Sequence, residues 1–477
     1  MLKKHGFALF ISIFTAVAFI SLRILSKNSV LISQQNQVIF ANFLLSVFIF
    51  FTLCLFVFEF FVQPQKTNYK IPDILLIFSI CCLLLLSIFN KQIGIYATAL
   101  FIFSTLIYLI SNRKVYALNP IYLLVFSYPI LEFIGTIGTP GGFRFPDMTL
   151  TFYLVPFAFC CFKLDKELII KILRFVFRAI LIFMMLSLIH WYFNILHIKV
   201  GVVEWISTKV LVNGVAAFEF VCSWSMYKHP SYINLVILPA LMSGFYIYHK
   251  QQASAFISKL ELILFVVFCV FLQLVLESRI GLIGVFFILV FTGLYYLHLK
   301  KIYFKIALVS LFVLGATGMF VMQNSVSNFI SDPIRKTDTA LAIHYIKSHI
   351  WWGAGYYQEA AVLRQVQAEL KGIVPENNFP KTYTHNQLLG TMIQFGIPGA
   401  VMLLLLMTGL LWYAFHSRNY LMQLLICMYI LFMMIEEPLY VQEGITRFMV
   451  FLSIFVHLGE SEKSKKNYTL FNRLPKS

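Results

Sequence analysis

Residues 260–298 read LELILFVVFCVFLQLVLESRIGLIGVFFILVFTGLYYLH. Two apolar runs, 260–276 and 280–298, are joined only by Glu277-Ser278-Arg279. A helical hairpin in water needs a polar face along each arm, and these arms have none. Helices that are apolar all round are buried in protein or face lipid, and runs of this length approach the roughly 20 residues that cross a bilayer. The stretch therefore predicts a transmembrane hairpin whose tight turn holds Arg279 at the membrane surface.

Working outward, similar runs recur near 7–25, 38–62, 73–89, 94–111, 119–138, 148–162, 177–196, 231–248, 306–322, 396–415, 419–435 and 445–458. With the opening pair they predict an all-α, polytopic transmembrane bundle of about fourteen spans. The count falls to about twelve if the segments around 73–111 and 119–162 contain merged or re-entrant pieces. Composition agrees. The 477 residues are 60% hydrophobic and 12% charged, with 51 Phe and a mean hydropathy of +0.83. That charged fraction is about half the usual one for soluble domains, so the length points to one membrane bundle rather than several soluble domains. Lys3-Lys4 ahead of an apolar run, with Ala16-Val17-Ala18 beyond, resembles a signal peptide. Because the run continues to about Leu25, an uncleaved first span is the better reading.

The net charge of +17 raises nucleic acid as a partner, but its placement argues against one. With a cytoplasmic N-terminus, the inside loops hold Lys66/Lys70, Arg113/Lys114, Lys163/Lys166/Lys171/Arg174, Lys250/Lys259, Lys300/Lys301/Lys305, Arg418 and the Lys463–Lys476 tail. Leaving the long loop aside, this puts about twice as many cations inside as outside, the positive-inside pattern. Both termini are then cytoplasmic. His229, Arg279, Glu436-Glu437 and the one long polar stretch, residues 323–385, lie extracytoplasmically in what is expected to be a bacterial cytoplasmic membrane.

Seven of the eight cysteines (Cys54, Cys81, Cys82, Cys160, Cys161, Cys269 and Cys427) lie in apolar runs, where they act as small hydrophobes. Cys222 stands alone near a span edge, and no spacing suggests a metal site or a disulfide. Gly and Pro cluster near the outer face, in Gly138-Thr139-Pro140-Gly141-Gly142 and Gly353-Ala354-Gly355, marking turns or broken helices.

Five positions on that face could carry chemistry. Arg279 offers a planar fork of donors to a phosphate or carboxylate; equally, it is a snorkelling arginine paired with Glu277 or a lipid headgroup. Arg335 and Lys336 follow Pro333 and precede an amphipathic stretch, Ala340 to Trp352, that is expected to lie on the membrane. Trp351-Trp352 and Tyr356-Tyr357 flank the glycines and suit either sugar stacking or an aromatic belt. His385, in Thr382-Tyr383-Thr384-His385-Asn386-Gln387, sits where the chain re-enters the membrane, and an imidazole can take a proton from a hydroxyl. Lys228 and His229 precede Pro230 at a span start, where free N–H groups favour an anion. Cations beside one general base fit an anionic lipid headgroup.

At this point the residues resemble a known family. From about Phe220 to Leu411 the chain is similar to the O-antigen ligase/polymerase family of polytopic glycosyltransferases. The likeness is carried by His229-Pro230-Ser231, by Ser278-Arg279-Ile280-Gly281-Leu282 and by Arg335 ahead of Trp352-Gly353-Ala354-Gly355-Tyr356. Above all it rests on His385-Asn386-Gln387-Leu388-Leu389 followed by Gln394-Phe395-Gly396-Ile397-Pro398-Gly399. The resemblance implies N-terminal spans over residues 1–219, a ligase-like core over 220–411 and C-terminal spans with a basic tail over 412–477. It also implies a glycan donor on undecaprenyl diphosphate, transferred with inversion and with neither nucleotide nor metal cofactor to a glycan or lipid A–core acceptor; glycosylation of a protein would use the same donor chemistry. By the same resemblance Arg279 and His385 are catalytic, while Arg335, Lys228, His229 and Asn386 bind substrate. Family members often carry an arginine just before the Asn/His-Pro motif, where this chain has Lys228, which lacks bidentate geometry. The rival readings are a lipid-linked-glycan transporter or flippase and a membrane scaffold. A transporter would show repeats and broken helices at the midplane, and a scaffold needs no cations and histidine at the lipid boundary.

Overall fold

The computed structural model describes residues 34–62, 69–86, 88–89, 91–112, 119–137, 150–198, 211–212, 215–216, 230–250, 256–276, 278–296, 333–370 and 384–471. Its helices are α1 (Gln34–Val57, running into a π-helical turn Phe58–Val62), α2 (Ile71–Leu86), α3 (Lys91–Asn112), α4 (Ile121–Ile137), α5 (Leu150–Cys160), α6 (Lys166–Ile198) and α7 (Pro230–Lys250). They continue as α8 (Lys259–Val275), α9 (Arg279–Tyr296), α10 (Pro333–Ser348), α11 (Glu359–Glu369), α12 (Gln387–His416), α13 (Tyr420–Met433) and α14 (Gln442–Phe471). Among the described residues the only β pairing is two residues against two, Leu211–Val212 with Val215–Ala216. The class is all-α.

Each expected span within the described residues falls on a helix; those at 7–25 and 306–322 lie outside them. By length and composition, Ile39–Val62, Ile93–Asn112, Lys166–Leu196, Ser231–Lys250 and Gln387–His416 can each cross a bilayer. The chain is a multi-pass membrane protein. α5 has 11 residues, which at a rise of about 1.5 Å per residue is too short to cross alone.

The chain divides into two compact units, one of residues 1–117, 155–286 and 446–477, the other of 118–154 and 287–445. In the first, α6 forms the axis. Its apolar window is wholly buried, with Phe177 stacked on Phe265 at 4.5 Å and Phe183 edge-on to Phe48 at 6.1 Å. The helix begins well before the expected residue 177: its first turn is partly exposed, but the polar Lys171, Arg174 and Arg178 that follow are buried. Arg178 donates to both carboxylate oxygens of Glu261 (2.9 and 3.1 Å) and to Glu59 (2.6 Å), and Arg174 donates to Glu59. Glu59 lies in the π-helical turn and is fully buried. Two cations facing two carboxylates balance, which is what makes such a cluster tolerable in a dry interior.

In the second unit, α12 packs against α4, α13, α10 and α11. A small core joins Leu341, Ala342 and Ile346 of α10 to Val362, Leu363 and Val366 of α11 and Ile393 of α12. These alternations at helical spacing bury one stripe of each short helix and leave Lys336, His344, Lys347 and Arg364 outside. The polar stretch thus carries short amphipathic helices as expected, but the helix is Pro333–Ser348 rather than 340–352, and its apolar stripe packs on α11 and α12 instead of lying on the membrane.

Candidate active site

The site in the second unit begins at a broken helix. Gly396 interrupts α12 with φ +63, two residues before Pro398, and frees the carbonyls of the preceding turn. The chain at 350–357 fills the gap. Ala354 N–H donates to Ile393 O (2.7 Å), Gly355 N–H to Gln394 O (2.9 Å), and Ile397 N–H to Ile350 O (3.0 Å), while Tyr357 N–H donates to the Gln394 side chain (3.1 Å). Two motifs that looked separate, Trp352-Gly353-Ala354-Gly355-Tyr356 and Gln394-Phe395-Gly396-Ile397-Pro398, are thus halves of one backbone contact. The break explains why the apolar run starts near residue 396 although the helix starts at Gln387. Trp351 and Trp352 stay exposed beside it.

A β-carbon on Gly353 would overlap the Gln394 carbonyl group, which is backbone and cannot swing aside. Gly353→Ala is therefore expected to destabilise the protein by about 1–3 kcal/mol, the usual cost of overpacking. A thermal melt in detergent reads this, and an unchanged Tm would mean that the loop does not dock on α12.

Docking fixes what lies on either side. Asn386 caps α12: its side-chain oxygen accepts from Leu388 and Leu389 N–H (3.0 and 3.1 Å), and its amide donates to Met434 O (3.2 Å). Gln387 is held by the Leu439 N–H (2.8 Å), and Thr391 accepts from Tyr440 (2.9 Å) and lies 3.3 Å from the Tyr128 hydroxyl of α4. Immediately before this anchored turn, His385 has φ +56. A left-handed histidine costs energy that its surroundings must supply.

Those surroundings centre on Glu436, whose side chain is fully buried between α13 and α14. One oxygen accepts from Arg335 Nη2 at 2.9 Å, and Arg335 Nη1 also donates to Ile435 O at 3.0 Å. The other oxygen lies 3.4 Å from His385 Nδ1. A carboxylate there favours the tautomer with the proton on Nδ1, which leaves Nε2 as an acceptor. His385 and Arg335 keep 22% and 34% of their side-chain surface, so both reach solvent while their shared partner does not. The arrangement can take a proton at His385 and hold an anion at Arg335.

Next to His385, Thr384 meets two further carboxylates. Thr384 N–H points at Glu359 Oε1 (2.5 Å) and Glu437 Oε1 (3.0 Å). Burial pushes both carboxyls above the usual range; Glu437 is raised further by the charge of Glu359 beside it.

Arg279 belongs to the first unit, as the first residue of α9, and is half-buried. Its turn is set by a buried polar cluster. Ser278 Oγ accepts from Gly281 N–H (3.3 Å) and from Asn234 of α7 (2.9 Å), and Gln273 of α8 donates to Asn234 (2.6 Å). The tight hairpin read from the sequence is thus pinned on three helices. Lys228 and His229 lie outside the described residues.

Of the residues singled out in the sequence, the structure links Arg335, His385 and Asn386 within one unit. In the sequence, Glu436 stands out only as one of an outer-face pair that could replace His385 as the base, and Glu359 does not stand out at all. The available signal was the adjacent Glu436-Glu437 between two apolar runs, since carboxylates at such a position need partners.

Residues 264–404 match the family described as O-Antigen ligase. No curated protein matches the chain. The matched segment runs from α8 through the break in α12 and holds Arg279, Arg335 and His385, and over it the chain is similar to the O-antigen ligase family.

Proposed function

We propose that the protein is an inverting membrane glycosyltransferase that moves a glycan from an undecaprenyl-diphosphate-linked donor to an acceptor hydroxyl, on the extracytoplasmic face of the bacterial cytoplasmic membrane. The observation that carries this reading is the buried Glu436 carboxylate shared by Arg335 and His385. The family supplies the substrate class. In the proposed step, His385 Nε2 takes the acceptor's hydroxyl proton as that oxygen attacks the anomeric carbon. The bond from that carbon to the diphosphate oxygen breaks on the opposite face, and its electron pair leaves with the lipid diphosphate. Arg335, held by Glu436, is the proposed cation of this unit for the developing negative charge. The resemblance alone gives Arg279 the same role and assigns Lys228, His229 and Asn386 to substrate binding. Neither nucleotide nor metal enters the step.

The test is transfer from a lipid-diphosphate-linked glycan by purified protein, alongside the glycan profile of a deletion strain. Loss of all attached chains identifies a ligase, and products one repeat long identify a polymerase. Absence of transfer to any hydroxyl acceptor would end the proposal. Arg279→Lys keeps the charge but loses the fork, and it is expected to cut transfer by about 10²-fold, the worth of one transition-state donor. Near-normal transfer by a well-inserted Arg279→Ala protein would instead leave Arg279 as a snorkelling residue.

A further inference from the structure

The contacts around Thr384 need more protons than its own two donors supply. Its single N–H is directed at two buried carboxylates, Glu359 and Glu437. Its single O–H faces two acceptors, the Asn386 carbonyl oxygen at 3.0 Å and Glu437 Oε1 at 2.6 Å. A carbonyl brings no proton, so the one hydroxyl proton is split between two acceptors unless Glu437 carries a proton of its own. Glu359 Oε1 and Glu437 Oε1 lie 2.5 and 3.0 Å from the one Thr384 nitrogen. Glu359 is 5% exposed and Glu437 3%. Two anions converging on one N–H, with no cation on them among the described residues, would be among the costlier arrangements a dry interior can hold.

We propose that Glu359 and Glu437 share one proton beneath the Thr384–His385 turn, and that this singly charged pair is the positioning element that holds His385 in its left-handed conformation. The proposal rests on the transferase reading only for its kinetic arm. Geometry gives the pair its leverage. Thr384 is adjacent to His385, and Glu359 is the first residue of α11, which packs against α10 and α12. Glu437 follows Glu436, the partner of His385, so a shift of one carboxyl moves the other. Gln394, at the break in α12, donates to Glu359 (3.4 Å), and Gly390 leaves room for both carboxyls, since a β-carbon there would come within 3.0–3.1 Å of them. Among the described residues, the other titratable groups on the surrounding elements include Arg335, Asp338 and Tyr345 on α10, His385, Glu436, Tyr440, and Tyr128 and Glu132 on α4. Lys336, His344, Lys347, Arg364 and Glu369 on α10 and α11 are exposed.

A carboxyl raised by folding stabilises the protein fully below its unfolded value. That stability is lost as pH climbs through the folded value. The experiment compares wild type with Glu437→Gln and Glu359→Gln, each replacing the shared proton with an amide that cannot lose it. Expected are melting temperatures that fall less steeply with rising pH in the variants, transfer within about threefold of wild type at pH 7, and a kcat that declines less on the alkaline side. Glu437→Ala, which removes the contact, should lower kcat about 30-fold or more with KM little changed. Melting curves of both Gln variants that run parallel to wild type, or a folded Glu437→Ala protein with normal kcat, would overturn the proposal. So would the absence of any protonated-carboxyl band in the infrared spectrum of the wild-type protein at neutral pH, which needs no variant to fold. The melting and infrared arms need no substrate. A wild-type protein that transfers nothing would therefore refute the transferase and leave the shared proton to be judged on its own.

Discussion

Replacing His385 with Gln should lower glycan transfer by about 10²–10⁴-fold, the usual worth of a general base, while donor binding survives. Gln keeps much of the size and can still donate to Glu436, so the Arg335 pair and the capped start of α12 should persist. What it cannot do is accept the hydroxyl proton at neutral pH. The left-handed backbone at this position argues the same way: a residue needed only to fill space would more economically be Gly or Asn. The measurement is single-turnover transfer by purified His385→Gln, with binding of the lipid-diphosphate donor followed separately. A well-folded variant with near-normal transfer would take the base away from His385.

Glu436→Gln should be nearly as damaging, by about 10²-fold or more, although Glu436 touches no substrate in the proposed step. Its carboxylate can only accept, so it selects the Nδ1–H tautomer of His385 and pairs the Arg335 guanidinium at the same time. An amide can turn its NH₂ toward Nδ1 and stabilise the opposite tautomer, with Nε2 already protonated and useless as a base. The loss should appear in kcat more than in KM. Because Arg335 keeps a third of its side chain in contact with solvent, water can replace part of the lost partner, and the protein should still fold. A folded Glu436→Gln protein that transfers at the wild-type rate would show that Glu436 is packing rather than positioning.

These two residues were legible in the sequence to different degrees. His385 stood out by type and place: a titratable ring at the end of the one long polar segment, next to a membrane span. Glu436 had nothing local to distinguish it from its neighbour Glu437, and the structure separates the two. Glu436 faces Arg335 and His385, whereas Glu437 faces Thr384 and Glu359. Helix ends differed for related reasons. α6 reaches back to Lys166 because Glu59 and Glu261 neutralise its arginines, and α12 reaches back to Gln387 because a distant loop satisfies its break.

By itself the sequence determined the all-α class, the multi-pass character and the places where helices run. Each follows from composition and apolar run length, which act over some twenty residues and need no partner. It also supplied the arginine and histidine whose chemistry suits a phosphorylated lipid and a hydroxyl. The tertiary structure alone decided which residues meet. Glu436 stands 101 residues from Arg335 and 51 from His385, and Thr384 stands 25 and 53 residues from the two carboxyls beneath it. Contacts at such separations are chosen by the packing of whole helices. Burial then turns carboxylates that would be unremarkable in water into groups that must share a cation or a proton.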